Sequence, residues 1–144
     1  VTVAMSESPC AQGAADAAEG FVVLCLCADW CGTCREYRPA FDALAEQFPG
    51  VGFGWLDIED HADLMGDLDI ENFPTLLIVR RNLVLFFGTM LPHIGHLRRT
   101  IETFLEQGLD ESRQYVGSNA ERRAWQADDD LRRLAGQWPA ALAG

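Results

Sequence analysis

Five cysteines stand at positions 10, 25, 27, 31 and 34, so four of them fall within ten residues. An extracellular disulfide scaffold spreads its cysteines to staple distant loops, whereas local clustering points to redox chemistry or a metal. The sharpest grouping is Trp30-Cys31-Gly32-Thr33-Cys34. Two thiols one helical turn apart suit thiol–disulfide exchange when the first is ionised and reachable and the second can attack the mixed disulfide. Cys31 falls where a helix would start, and the unpaired N–H groups and dipole of a first turn stabilise an anion there. This makes Cys31 the attacking thiolate and Cys34, more buried on the same side, the resolving thiol. Gly32 leaves room for a substrate chain. Zinc sites use Cys-x-x-Cys too. A metal held by residues 25, 27, 31 and 34 would take two ligands from a rigid strand and two from a helix, unlike the freer loops of most structural zinc sites. Exchange is therefore preferred, and no metal or bound cofactor is expected.

The elements that would position these thiols can be read from the hydrophobic pattern. Phe21 to Cys27 is a continuous apolar run rich in β-formers, the pattern of a buried central strand. Cys25 and Cys27, two apart on it, share a face. Cys31 to Phe48 is predicted helical, with Cys34, Tyr37, Phe41, Leu44, Ala45 and Phe48 on one face and Pro39 inside. Strands are predicted over Val51 to Ile58, Leu76 to Val79 and Leu83 to Phe87, the last two joined as a hairpin through Arg80-Arg81-Asn82. Short helices are expected at Ala14 to Glu19 and Ala62 to Leu68, and a longer one from Pro92 to Gln107, closed by Gly108. The order gives an α/β fold: a mixed sheet from a βαβ half and a ββα half, with helices on both faces. Residues 1–12 read as a mobile tail carrying an incidental Cys10, 13–108 as the domain, and 109–144 as a helical extension. In that extension, Ser118 or Asn119 would cap one helix running to about residue 136 and packing back on the domain.

Composition removes whole classes of function. All eleven bases are arginine, so no Schiff-base enzyme, lysine-anchored pyridoxal phosphate site or P-loop can be built. A net charge of -11 argues against nucleic acid as a partner. The longest apolar run is too short to span a bilayer and the first twenty residues do not read as a signal peptide, so neither membrane nor export is expected. His61, His93 and His96 read as solvated residues. The acidic stretch from Asp57 to Glu71, including Asp63 and Asp67, reads as a solvated face.

A second motif, Phe73-Pro74-Thr75, precedes the third strand, where a proline reads as a turn or a cis bond. With Ala28-Asp29-Trp30-Cys31-Gly32-Thr33-Cys34, Pro39 and Leu56-Asp57-Ile58-Glu59, it makes residues 14–108 resemble the thioredoxin family. The resemblance implies a thioredoxin fold and a cis peptide before Pro74. It also implies a cytoplasmic disulfide reductase using Cys31 and Cys34, with disulfide-containing proteins as substrates and a thioredoxin-reductase-like electron donor. Trp30, Gly32, Thr33, Phe73, Pro74 and Gly88 would shape the substrate platform, the backbone at Phe73 pairing with an extended segment.

The chain departs from the family pattern at the buried Asp and Lys, whose positions here hold Cys25 and Trp55. The dipeptide between the cysteines is Gly-Thr rather than Gly-Pro. Cys25 and Cys27 read first as small buried hydrophobes. The sharper reading makes Cys25 a proton relay or an alternative partner for Cys34. A thioredoxin-like binding module or assembly chaperone with little redox turnover is the alternative function.

Overall fold

The computed structural model describes residues 20–28, 30–60, 70, 72–81 and 83–137. The expected elements at Ala14 to Glu19 and Ala62 to Leu68, the tail with Cys10, and Asp63 and Asp67 lie outside the described residues.

The apolar run becomes β1 (Phe21–Cys27), followed by α1 (Gly32–Gln47) and β2 (Gly52–Asp57). β3 (Thr75–Arg80) and β4 (Leu83–Thr89) follow, then α2 (Ile94–Glu106). The sheet order is β2-β1-β3-β4. β1 pairs parallel with β2, and β3 pairs antiparallel with both β1 and β4. This is the mixed sheet that the hydrophobic pattern predicts. β1 is central, which explains why nearly all of its side chains are buried.

Alternation along β1 sends its residues into two cores. Phe21, Val23, Cys25 and Cys27 pack with Cys34, Tyr37, Phe41 and Leu44 of α1 and with Leu97, Ile101 and Phe104 of α2. Leu24 and Leu26 face the other way, with Leu56, Leu77, Val79 and Val84. That second core is closed by Leu131 and Leu134 of the C-terminal extension, with Trp125 packed against it. The extension thus packs back on the sheet, as expected.

Its internal build differs from the expected single helix. Three helices form: α3 (Leu109–Val116), α4 (Ala120–Ala127) and α5 (Asp129–Gln137). Gly108 stands just past the end of α2, as expected, but the chain continues at once into another helix. Gly108 precedes α3, and its N–H donates to Glu111 Oε1 at 2.9 Å. Asn119 caps α4, its Oδ1 accepting from the Arg122 N–H at 2.8 Å. The break before α5 lies at Asp128, whose Oδ1 accepts the N–H groups of Asp130 (2.9 Å) and Leu131 (3.1 Å). A side chain that captures those donors starts a new helix rather than continuing the old one.

Two polar ties hold the extension. Arg80 is buried at the end of β3 and donates to Gln107 O (2.8 Å) and Ser112 Oγ (3.1 Å). Burial and the neighbouring Arg81 charge lower its pKa below the usual guanidinium value. The Gln126 side chain accepts the Val84 N–H at 2.9 Å and donates to the Val84 carbonyl at 2.7 Å.

Candidate functional site

The site forms where β1 ends and α1 begins. After Cys27 the chain turns, the Cys31 N–H donating to Ala28 O at 3.0 Å. Cys31 is the N-cap residue of α1 in extended backbone geometry, and its own carbonyl accepts the Arg35 N–H at 3.2 Å. It is half-buried and carries a free thiol. Gly32 and Thr33 are exposed beside it. A Cβ at Gly32 would meet only the Arg35 guanidinium at 3.9 Å, so the approach to the helix start is open.

Cys34 lies one turn on and is buried. Its disulfide partner in this structure is Cys27, with Cα atoms 5.9 Å apart, inside the usual range for a disulfide. The sequence reading pairs Cys34 with Cys31, or with Cys25 as the alternative. Here both of those thiols are free. Cys27 is the last residue of β1 and its side chain points under α1, which brings it opposite the buried Cys34. The Cys25 and Cys27 sulfurs are 3.8 Å apart. Because Cys27 is oxidised, Cys25 S–H is the donor of that contact. Burial pushes the Cys25 thiol well above its ordinary range, opposed in part by the Arg38 charge.

The Phe73–Pro74 peptide bond is cis, and Phe73 lies against Trp30. The Thr75 hydroxyl donates to Asn72 O at 2.7 Å, and Pro74 O accepts the Met90 N–H at 3.1 Å. These bonds tie the loop to both β3 and the end of β4. The exposed Trp30 ring meets Phe73 edge-on, with centroids 5.6 Å apart. Cys31 and Phe73 both pack against the first core. Gly88 lies one strand away, paired with Leu76. The structure therefore brings Trp30, Cys31 and Phe73 together, with Gly32 and Thr33 exposed beside them; Pro74 is itself buried, and Gly88 lies on the adjoining strand.

On the flank, Ala28, Cys34, Arg35, Arg38, Pro39, Asp42 and Trp55 line a groove of about 400 Å³. Cys25 and Trp55 are register partners across β1 and β2. The Arg38 guanidinium lies over the Trp55 ring, 5.1 Å from its centroid, and its Nε is 3.9 Å from Asp42 Oδ2. A cation thus stands over the neutral Trp55, supplied by the helix rather than the strand. Sequence reasoning missed this role for Arg38, although its position four residues after Cys34 puts it on the same helix side. It also missed Cys27 as the partner of Cys34. The signal was present in the shared face of residues 25 and 27.

The family model described as Thioredoxin matches residues 9–86. Among curated proteins, the chain is 32% identical to thioredoxin C-3 of Corynebacterium nephridii over 98 residues, covering 68% of this chain and 62% of that one. It is 35% identical to thioredoxin H2 of Arabidopsis thaliana over 60 residues, covering 42% and 45% respectively. The chain therefore spans less than two thirds of the length of these relatives. Among solved structures, thioredoxin f from spinach chloroplast superposes with a TM-score of 0.53 at 30% identity, over 61% of this chain and 73% of the other. No helix among the described residues is long and apolar enough to cross a membrane.

Proposed function

The chain belongs to the thioredoxin family, and from that premise we propose that it is a thiol–disulfide oxidoreductase that reduces disulfide-containing proteins. The observation that carries the proposal is the free, half-buried Cys31 thiol at the N-cap of α1, beside a cis-proline loop. In the proposed exchange the Cys31 thiolate, at the start of α1, is the nucleophile. It attacks one sulfur of a substrate disulfide, forming a mixed disulfide at Cys31 and releasing the first substrate thiolate. Cys34, in its thiolate form, then attacks the Cys31 sulfur. The Cys31–Cys34 bond forms, the mixed disulfide breaks, and the second substrate thiolate leaves.

Trp30, Gly32, Thr33, Phe73, Pro74 and Gly88 are the proposed contact surface, with the Phe73 backbone accepting an extended segment as an added strand. Cys25, whose sulfur lies 3.8 Å from that of Cys27, is the proposed proton relay at the buried end. A thioredoxin-reductase-like protein is the proposed electron donor, and the cytoplasm, where dithiols stay reduced, the proposed place of work.

Reduction of a protein disulfide such as that of insulin tests the reading. Wild type should turn over and Cys31→Ser should lose essentially all of that rate. A wild-type rate that is absent, or no higher than that of Cys31→Ser, refutes the assignment and favours a thioredoxin-like binding module.

A further inference from the structure

We propose that Cys27 is a third exchanging thiol of this site, taking Cys34 away from Cys31 so that the oxidised protein keeps a free, partly exposed thiol. The inference rests on the oxidoreductase reading and extends it to a residue which that mechanism does not use.

Three observations carry it. Cys34 is joined to Cys27 while Cys31 is free. Both bonded residues are about 1% exposed, so no external thiol can reach their sulfurs directly. Cys31 is the only partly exposed cysteine among the described residues, and it lies one turn before Cys34. Electrons must therefore pass between the buried disulfide and a partner through Cys31.

The step is an isomerisation with no net redox change. After substrate reduction the bond lies between Cys31 and Cys34. The Cys27 thiolate attacks Cys34 Sγ, the Cys27–Cys34 bond forms, and the Cys31–Cys34 bond breaks. The electron pair leaves with Cys31 as its thiolate. In the reverse direction the Cys31 thiolate attacks Cys34 Sγ and expels the Cys27 thiolate. Thiolate departure is faster when the developing charge is stabilised. Cys25 S–H, 3.8 Å from the Cys27 sulfur, is placed to donate to it. Cys27 thus stores the oxidised state in the core and returns Cys31 to service. An oxidised protein of this kind can still form a mixed disulfide.

Disulfide mapping tests the proposal in the full chain. The protein is oxidised with diamide, quenched in acid, denatured, blocked with an alkylating agent and cut on the amino side of aspartate. Trypsin would not serve, because no Arg or Lys precedes Arg35 and all the cysteines share one peptide. Cleavage before Asp16, Asp29 and Asp42 places Cys25 and Cys27 in 16–28 and Cys31 and Cys34 in 29–41. Recovery of these two peptides linked together, with the alkyl group on Cys31, is the expected result. The link should persist in Cys25→Ser and vanish in Cys27→Ala. Native oxidised wild type should also alkylate at Cys31, and native oxidised Cys27→Ala should not. A disulfide confined to 29–41, with Cys27 alkylated, overturns the proposal and leaves the oxidoreductase reading standing. No disulfide in either peptide defeats both. A link that survives in Cys27→Ala but not in Cys25→Ser overturns it in favour of Cys25.

Discussion

Truncating Leu131 to alanine should destabilise the protein by about 3 kcal/mol, although the residue lies in the C-terminal extension and far along the chain from the cysteines. Leu131 is 1% exposed and packs with Leu24, Leu26, Leu56 and Leu77 on the face of the sheet opposite α1. The substitution removes three carbons beyond Cβ, at about 0.8 kcal/mol each, or about 2.4 kcal/mol in transfer free energy. A residual cavity adds to that. The short helix α5 can settle partly into the gap, so the sum belongs in the lower half of the roughly 2–5 kcal/mol seen for such changes. For a chain of this size, about 3 kcal/mol corresponds to a fall in Tm of about 6–12 °C. Urea unfolding followed by circular dichroism gives the free energy, and thermal melts give the shift. Leu91→Ala is the control, because Leu91 is 61% exposed and should stay within about 0.5 kcal/mol of wild type. If Leu131→Ala behaves like Leu91→Ala, the extension is not part of the core, and the two-core description of the sheet fails.

Other outcomes follow from the same structure. Ser112→Ala should cost about 1–2 kcal/mol in urea unfolding, because it strips the buried Arg80 of one of its acceptors; an unchanged midpoint would show that Arg80 finds another. Gln126→Ala should cost a similar amount, about 1–2 kcal/mol, by leaving both Val84 backbone groups unpaired at a buried residue, and hydrogen exchange at the Val84 amide should quicken. Burial raises the Cys25 thiol and the Tyr37 phenol above their ordinary values of 9.0 and 10.0. Both therefore stay protonated in the native state where the unfolded chain ionises. Their contribution is complete below those values and is lost as pH rises past them, at up to about 1.4 kcal/mol per pH unit for each group. Urea midpoints measured from pH 8 to 11 should fall less steeply in Cys25→Ala than in wild type, and parallel curves would refute the linkage.

Much of the fold was legible because its signals are local. The apolar run of β1 matches the observed strand, and the predicted helix from Cys31 to Phe48 differs from α1 by one residue at each end. The hairpin from β3 to β4 and the helix after Pro92 were readable for the same reason. The extension was harder. In α3 the sequence Leu-Asp-Glu-Ser-Arg-Gln-Tyr-Val has no sustained apolar period, and Gly108 before it looks like an ending. Asp128 stands in a run of three aspartates that reads as a charged face, and only the direction of its carboxylate shows that it caps a helix. At the site, Cys31, Cys34 and the Phe73-Pro74 loop were singled out by motif. The choice of Cys27 over Cys25 as the disulfide partner depends on which strand residue lies under the first turn of α1. That is a tertiary distance that alternation along β1 leaves open. The cation over Trp55 was hidden because it comes from another element.

The double bond from Gln126 to Val84 has a consequence for how this protein meets other chains. β4 is a sheet edge, and an edge strand offers its free backbone groups to any extended polypeptide that comes alongside. The Gln126 amide presents one donor and one acceptor in the manner of a peptide group, so it occupies Val84 as a stub of neighbouring strand would. A second copy, or a misfolded chain, would have to evict that side chain before it could extend the sheet at this point. The extension thereby makes the molecule directional, because the chain's own C-terminal helices withdraw the β4 edge at Val84 from strand addition.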